Sequence, residues 1–148
     1  MSTQKFIHNE IEIQASAEEI WDALTHPAKT QQYMYNCEAL STWKEGDELL
    51  WKGAQDGVVY VKGRVVTFDP EKTLAYTVFD PNGTYPDIPE NYLTVTMTLE
   101  DREEGILLKV SQGDYSQVAN GADRYEDTLD QGGWQSVIQG IKRVVEGE

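Results

Sequence analysis

The sequence predicts an α+β fold: a curved antiparallel sheet of about seven strands, two short helices after the first strand, and a long C-terminal helix packed across the sheet. Three observations lead there. From Cys37 to Asp114, short apolar/polar segments follow one another between turn signals, as in half-buried strands. Ser16-Ala17-Glu18-Glu19 is a capping box opening an apolar stretch at helical spacing. Tyr125, Leu129, Gly133, Val137, Ile141 and Val145 recur every four residues, which marks an amphipathic helix.

Phe6 to Gln14 reads as the first strand, with Ile7, Ile11 and Ile13 on one face and His8, Glu10 and Glu12 on the other. Ser16 caps a helix carrying Ile20, Trp21 and Leu24. Pro27 ends that helix or starts the next, which covers Pro27 to Tyr33. Strands follow over Glu38–Trp43, Glu48–Lys52, Val58–Phe68, Thr73–Asp80, Tyr92–Glu100 and Ile106–Asp114. Lys44-Glu45-Gly46-Asp47 and Gln55-Asp56-Gly57 are turns, and Asp69 to Lys72 and Glu103 to Gly105 are hairpin connections. Three prolines make Pro81 to Glu90 a loop.

The final helix starts near Asn120 or Ala122 and contains Gly132 and Gly133 side by side. Each glycine costs a helix about 1 kcal/mol relative to alanine. A row at four-residue spacing drifts about 40° per step on a straight helix, so the apolar face rotates across the pair. Either the helix wraps or bends over a curved sheet, with Trp134 filling the gap, or the missing side chains leave space that roofs a cavity.

Length and composition bound the function. The 148 residues suit a single domain, 1–148, with a sizeable core. The formal net charge of -14 disfavours nucleic acid and anionic membrane surfaces. No apolar run approaches the roughly 18 residues of a membrane span, and Met1 to Phe6 lacks a signal-peptide core. Cys37 is the only cysteine, so no internal disulfide forms and a cytoplasmic location is expected.

Catalytic signatures are sparse. His8 points outward on its strand and His26 sits at a helix end; neither shares metal-site spacing with Cys37. Cys37 reads as a packed small side chain. No P-loop, dinucleotide fingerprint or zincin motif occurs, and the expectation is no cofactor and no metal. Asp127 and Asp130 lie one turn before the glycine pair, where they face solvent or a cavity mouth.

A cavity lining follows from alternation. Ile106, Leu108, Val110 and Gln112 share one strand face, and the closing glutamine bonds a ligand, or else backbone or water. Val61, Gly63 and Val65 form a second row, in which Gly63 permits a bend or a close approach. Leu74, Tyr76 and Val78 form a third, and Tyr33 and Trp51 reach the same space. Gly133, Trp134 and Val137 line it from the helix, and Tyr85 tips a loop that gates it. Ordinary core packing is the competing role for each aromatic.

The order strand, two short helices, six strands and long helix resembles the helix-grip fold of pollen-allergen-like, polyketide-cyclase-like and lipid-transfer domains. Within it, the sequence resembles the family named for the activator of the ninety-kilodalton heat-shock protein ATPase. Ile13 through Pro27 is similar to that family's opening strand and helix. Trp43, Gly46, Trp51, Val61-Lys62-Gly63-Arg64-Val65, Pro70, Leu74-Ala75-Tyr76-Thr77, Val95 to Leu99 and Gly133-Trp134 with Ile138 and Ile141 continue the likeness. The resemblance implies a cavity between the sheet and the last helix. The eukaryotic activator adds an N-terminal domain that grips the chaperone, whereas this sequence opens at the helix-grip unit. Three functions are thereby expected as alternatives: binding a small hydrophobic or amphipathic ligand, acting on the heat-shock chaperone as an interaction module, or cyclase- or hydrolase-like chemistry by cavity carboxylates.

Overall fold

The computed structural model describes residues 4–147, so Met1 to Thr3 of the N-terminal reading lie outside the described residues. Seven strands form one antiparallel sheet: β1 (Ile7–Ile13), β2 (Cys37–Leu40), β3 (Glu48–Gly53), β4 (Val59–Asp69), β5 (Thr73–Val78), β6 (Leu93–Arg102) and β7 (Gly105–Gly113). Their spatial order is β1-β7-β6-β5-β4-β3-β2. Every neighbour except β7 beside β1 is thus a sequence neighbour, and the longest of these connections, residues 79–92, joins β5 to β6. The helices α1 (Ala17–Thr25) and α2 (Pro27–Tyr33) fill the long connection between β1 and β2.

The local signals act where they stand in the sequence. Ser16 Oγ accepts from Glu19 N at 3.1 Å, and Glu19 Oε1 accepts from Ser16 N at 3.2 Å, completing the capping box. His26 caps α2 by accepting the Ala28 N–H on Nδ1 at 3.2 Å, with Pro27 in the first turn. His8 is exposed and stacks on Phe6. The second strand is shorter than expected: it ends at Leu40, and Trp43 adopts φ +57, which no strand continues.

The core lies on the concave face. Ile13, Leu49, Val65, Leu74, Val95, Met97, Leu108 and Val110 from the sheet meet Ile20 and Leu24 of α1 and Val137, Ile138 and Ile141 of the C-terminal segment. Burying each such side chain stabilises the fold by about 1.5–3 kcal/mol. Gly140 lets that segment press on α2, since an added Cβ would lie 2.8 Å from Tyr33 Cβ.

The expected single long helix is two helices, α3 (Gly121–Asp130) and α4 (Gln135–Glu146). Gly133 N donates to Thr128 O at 2.9 Å and Gly132 N to Leu129 O at 3.0 Å. These bonds form a Schellman motif with Gly132, at φ +88, in its left-handed position. Gly133 follows at φ +61. The apolar face rotates because the helix stops and restarts.

Candidate functional site

Between the concave sheet face and the C-terminal helices lies a pocket of about 420 Å³. Met34, Tyr35 and Cys37 bound it at the turn from α2 into β2. Trp51 of β3, Tyr60 and Val61 of β4, and Tyr76 and Val78 of β5 make its floor and side. Gln112 of β7 and Trp134 at the α3–α4 break close the opposite side. No lining residue carries a charge at neutral pH.

The chain positions Trp134 through Asn9 of β1. Asn9 Oδ1 accepts the Trp134 backbone N–H at 2.9 Å, and Asn9 Nδ2 donates to Gly132 O at 3.4 Å. One amide thus holds both sides of the helix break and serves an orphan donor at the start of α4. The indole Nε1–H then donates to Gln112 Oε1 at 2.9 Å. Because an indole only donates, it sets the orientation of the Gln112 amide. The Nε2 donor of Gln112 has no protein acceptor among the described residues.

Two buried tyrosines stand close together but differ in their partners. Tyr33 OH donates to Ala23 O at 2.8 Å. Tyr76 OH has no hydrogen-bond partner among the described residues, although Tyr76 is only 2% exposed. Burial holds both phenols well above their ordinary pKa, and Tyr76 adds a smaller upward push on Tyr33. Trp51 tilts against the Tyr76 ring, with centroids 5.9 Å apart.

The rim is aromatic and acidic. Tyr35 is 76% exposed and adopts φ +51 in the turn after α2. The Tyr60 hydroxyl donates to the Asp56 carboxylate, which also accepts the Val58 N–H at 3.0 Å. These bonds hold Asp56 below its ordinary carboxylate pKa, the tyrosine bond having the larger effect. Burial, and then the Asp56 charge, raise the Cys37 thiol, so it is a packed thiol on the wall rather than a thiolate.

Of the residues selected from sequence, Trp51, Val61, Tyr76, Val78, Gln112 and Trp134 meet at this pocket. Val65, Leu108, Val110 and Val137 are buried in the core, and Tyr33 is buried on its bond to Ala23. Gly63 serves the close approach of β4 to β5: an added Cβ would lie 1.7 Å from Thr77 O. Gly133 packs on β1, where a Cβ would stand 2.6 Å from Asn9 Oδ1 and 2.8 Å from Ile7 Cγ2. Tyr85 sits against α3, with the Arg124 guanidinium 4.9 Å from its ring centroid and Asn120 Nδ2 3.4 Å from its hydroxyl. Asp127 and Asp130 are exposed and line no part of the pocket.

Sequence reading passed over Met34, Tyr35, Cys37 and Tyr60 as lining. Cys37 was accessible to it, because Cys37 and Ala39 alternate inward on β2. Tyr60 gave no signal: its alternation places it with Lys62 and Arg64.

A larger hollow of about 500 Å³ involves Glu48, Lys62, Arg64, Asp87 and Tyr92, and there Lys62, Arg64 and Asp87 are already engaged. Lys62 pairs with Asp87, Tyr92 OH donates to Asp87 Oδ1 at 2.6 Å, and Arg64 donates to Gly46 O at 3.1 Å. Among the described residues no cluster of three or more His, Cys, Asp or Glu could hold a metal. Among the described residues no helix is long and apolar enough to cross a membrane.

A seven-stranded antiparallel sheet with a short helix pair inserted after β1 and a C-terminal helical segment over its concave face defines a helix-grip protein. The chain belongs to the family described as activator of Hsp90 ATPase homolog 1-like protein, whose pattern matches residues 14–146. It is similar to a Cytophaga hutchinsonii protein of known solution structure, with 30% identity, a TM-score of 0.75 and coverage of 99% of this chain and 97% of that one. It is also similar in fold to a Mesorhizobium loti protein, at 21% identity, TM-score 0.74 and coverage of 96% and 97%. The Aha1 dimer of Colwellia psychrerythraea shares the fold at 17% identity, TM-score 0.70 and coverage of 95% and 96%. Among curated proteins none matches the chain.

Proposed function

We propose that this protein binds a small hydrophobic or amphipathic ligand in the pocket between the sheet and the C-terminal helices, with Gln112 fixing its orientation. The carrying observation is an uncharged, largely apolar wall that contains one amide with its carbonyl engaged and its donor end free. Such a combination of apolar area and a few placed polar groups is the usual make-up of a ligand site. The cytoplasm is the proposed location, where the lone buried Cys37 stays reduced.

The hydrocarbon dye 1,6-diphenylhexatriene, which fluoresces when it leaves water, tests the reading. Wild-type protein is expected to bind it saturably. Val61→Phe, which adds bulk to the pocket wall beside its strand partner Trp51, should weaken binding by at least about tenfold, the equivalent of about 1.4 kcal/mol. The melting curve should show that the variant stays folded. No binding by the wild type, or equal binding by the variant, defeats the proposal. Family membership motivates one separate trial: purified heat-shock chaperone is mixed with excess protein, and an unchanged ATPase rate removes the co-chaperone role.

A further inference from the structure

Resting on that reading, we infer that the ligand is a neutral chain or ring compound bearing a carbonyl-type oxygen, which accepts hydrogen bonds from Gln112 Nε2 and Tyr76 OH. The two donors belong to one row of the sheet. Tyr76 pairs with Val95 and Val95 pairs with Gln112, so all three side chains stand on the same face. Two strand spacings separate Tyr76 from Gln112, about 10 Å between Cα atoms; Val95 between them is fully buried, while Tyr76 and Gln112 both line the pocket. A ligand in the pocket thus meets a donor-bearing side chain on each of two strands, β5 and β7.

The unused capacity of these groups is specific. Trp134 occupies Gln112 Oε1 at 2.9 Å and leaves the donor end of the amide. Tyr33 has its backbone acceptor at 2.8 Å, whereas Tyr76, buried in the same core, has none among the described residues. A buried hydroxyl without a partner is destabilising, so an arriving acceptor oxygen gains more here than in water. The hydroxyl is closed off from bulk solvent, so a ligand reaches it only when the side chains around Tyr76 rearrange.

The same walls act against a carboxylate. No Lys, Arg or His lines the pocket, so a buried carboxylate would lose its water with no counter-charge. Asp56 at the rim and the net charge of -14 add long-range repulsion. An ammonium head fares no better inside, because no Asp or Glu lines the pocket to balance its charge.

The experiment uses the folded protein loaded with 1,6-diphenylhexatriene, which has no acceptor atom and reports occupancy. It is displaced by 2-dodecanone or by dodecanoate, well above the carboxylate pKa. The ketone should displace it at a midpoint at least about tenfold lower than dodecanoate. Gln112→Glu keeps the acceptor for Trp134 and removes the free donor; Tyr76→Phe removes only the hydroxyl. In each variant the ratio of ketone affinity to hydrocarbon-dye affinity should fall by about tenfold. Equal or tighter binding of dodecanoate overturns the inference, as do ratios unchanged in both variants. If the dye itself fails to bind the wild type, the pocket proposal falls first, so the two failures are distinguishable.

Discussion

Tyr76 concentrates the tension between stability and binding in one atom. Its hydroxyl is buried without a partner among the described residues, and a polar group left in that state costs about 1–3 kcal/mol. Tyr76→Phe keeps the ring against Trp51 and removes the unpaired atom, so it should raise the unfolding free energy of the empty protein by roughly 1 kcal/mol in a urea titration. Loss of stability would mean that the hydroxyl is satisfied in solution. The sign of the alkaline response follows from the same burial. The folded phenol titrates above the ordinary value of 10.0, so folded protein holds the proton after the unfolded chain has released it. The stability contributed by the neutral Tyr33 and Tyr76 phenols is therefore complete below pH 10.0 and is lost as the pH rises beyond it. Tyr76→Phe should shift the alkaline midpoint upward, read by phenolate absorbance; an unshifted midpoint would leave Tyr33 as the group that governs it. Asn9 is the second decisive residue. Asn9→Ala removes a bond on each side of the helix break and should cost about 1–2 kcal/mol, as loss of a helix cap does. Asn9→Asp retains the acceptor and should cost less.

The break between α3 and α4 is the element that sequence periodicity described least well. Strands and short helices were legible because their signals are local: the capping box at Ser16, Pro27 after His26, and alternation along β7 each act within a few residues. The glycine pair was legible as an anomaly, and its meaning was not, because that depends on β1, more than a hundred positions away. Alternation placed Ile7 and Ile11 inward without asking what the polar Asn9 between them does. Asn9 pairs across with Val110, on the face where α4 lies, and a polar residue in that row was the available clue. The pocket was half legible for the same reason. Rows on single strands identified Val61, Tyr76, Val78 and Gln112, whereas Met34 and Tyr35 enter through a turn whose left-handed Tyr35 and Asn36 leave no periodic trace. The two glycines now make separable predictions. Gly132 has open space around it, its nearest contact being Gln135 Cβ at 4.0 Å, and asparagine tolerates its left-handed backbone. Gly132→Asn should cost less than about 1 kcal/mol. Gly133→Ala would drive a methyl into Asn9 and Ile7 and should cost about 2 kcal/mol or more, uncoupling Trp134 from its anchor. Equal melting temperatures for the two variants would show that the break is not clamped to β1.

Across the whole molecule the dominant fact is charge: 26 acidic against 12 basic side chains. Ion pairs such as Lys29–Asp22 and Arg102–Glu100 lie on the surface. Each contributes about 0–1 kcal/mol and weakens in salt. Repulsion among the surplus carboxylates acts over longer distances and also weakens in salt, so the sign of the salt response tells which is larger. Going from about 0.01 M to about 0.1 M shortens the screening length from about 30 Å to about 10 Å. That distance spans much of the surface field but hardly alters a contact pair, so the melting temperature should rise. A falling melting temperature would place the ion pairs ahead of the repulsion. The same titration separates two causes of ligand selectivity. Rejection of dodecanoate by the surface field should fade over this salt range, whereas rejection by the uncharged pocket wall persists, because desolvation of a carboxylate inside the pocket is insensitive to ions outside it. The ketone preference should accordingly shrink with salt and level off above unity. A preference that vanishes altogether would assign it to net charge alone and take Gln112 and Tyr76 out of the recognition.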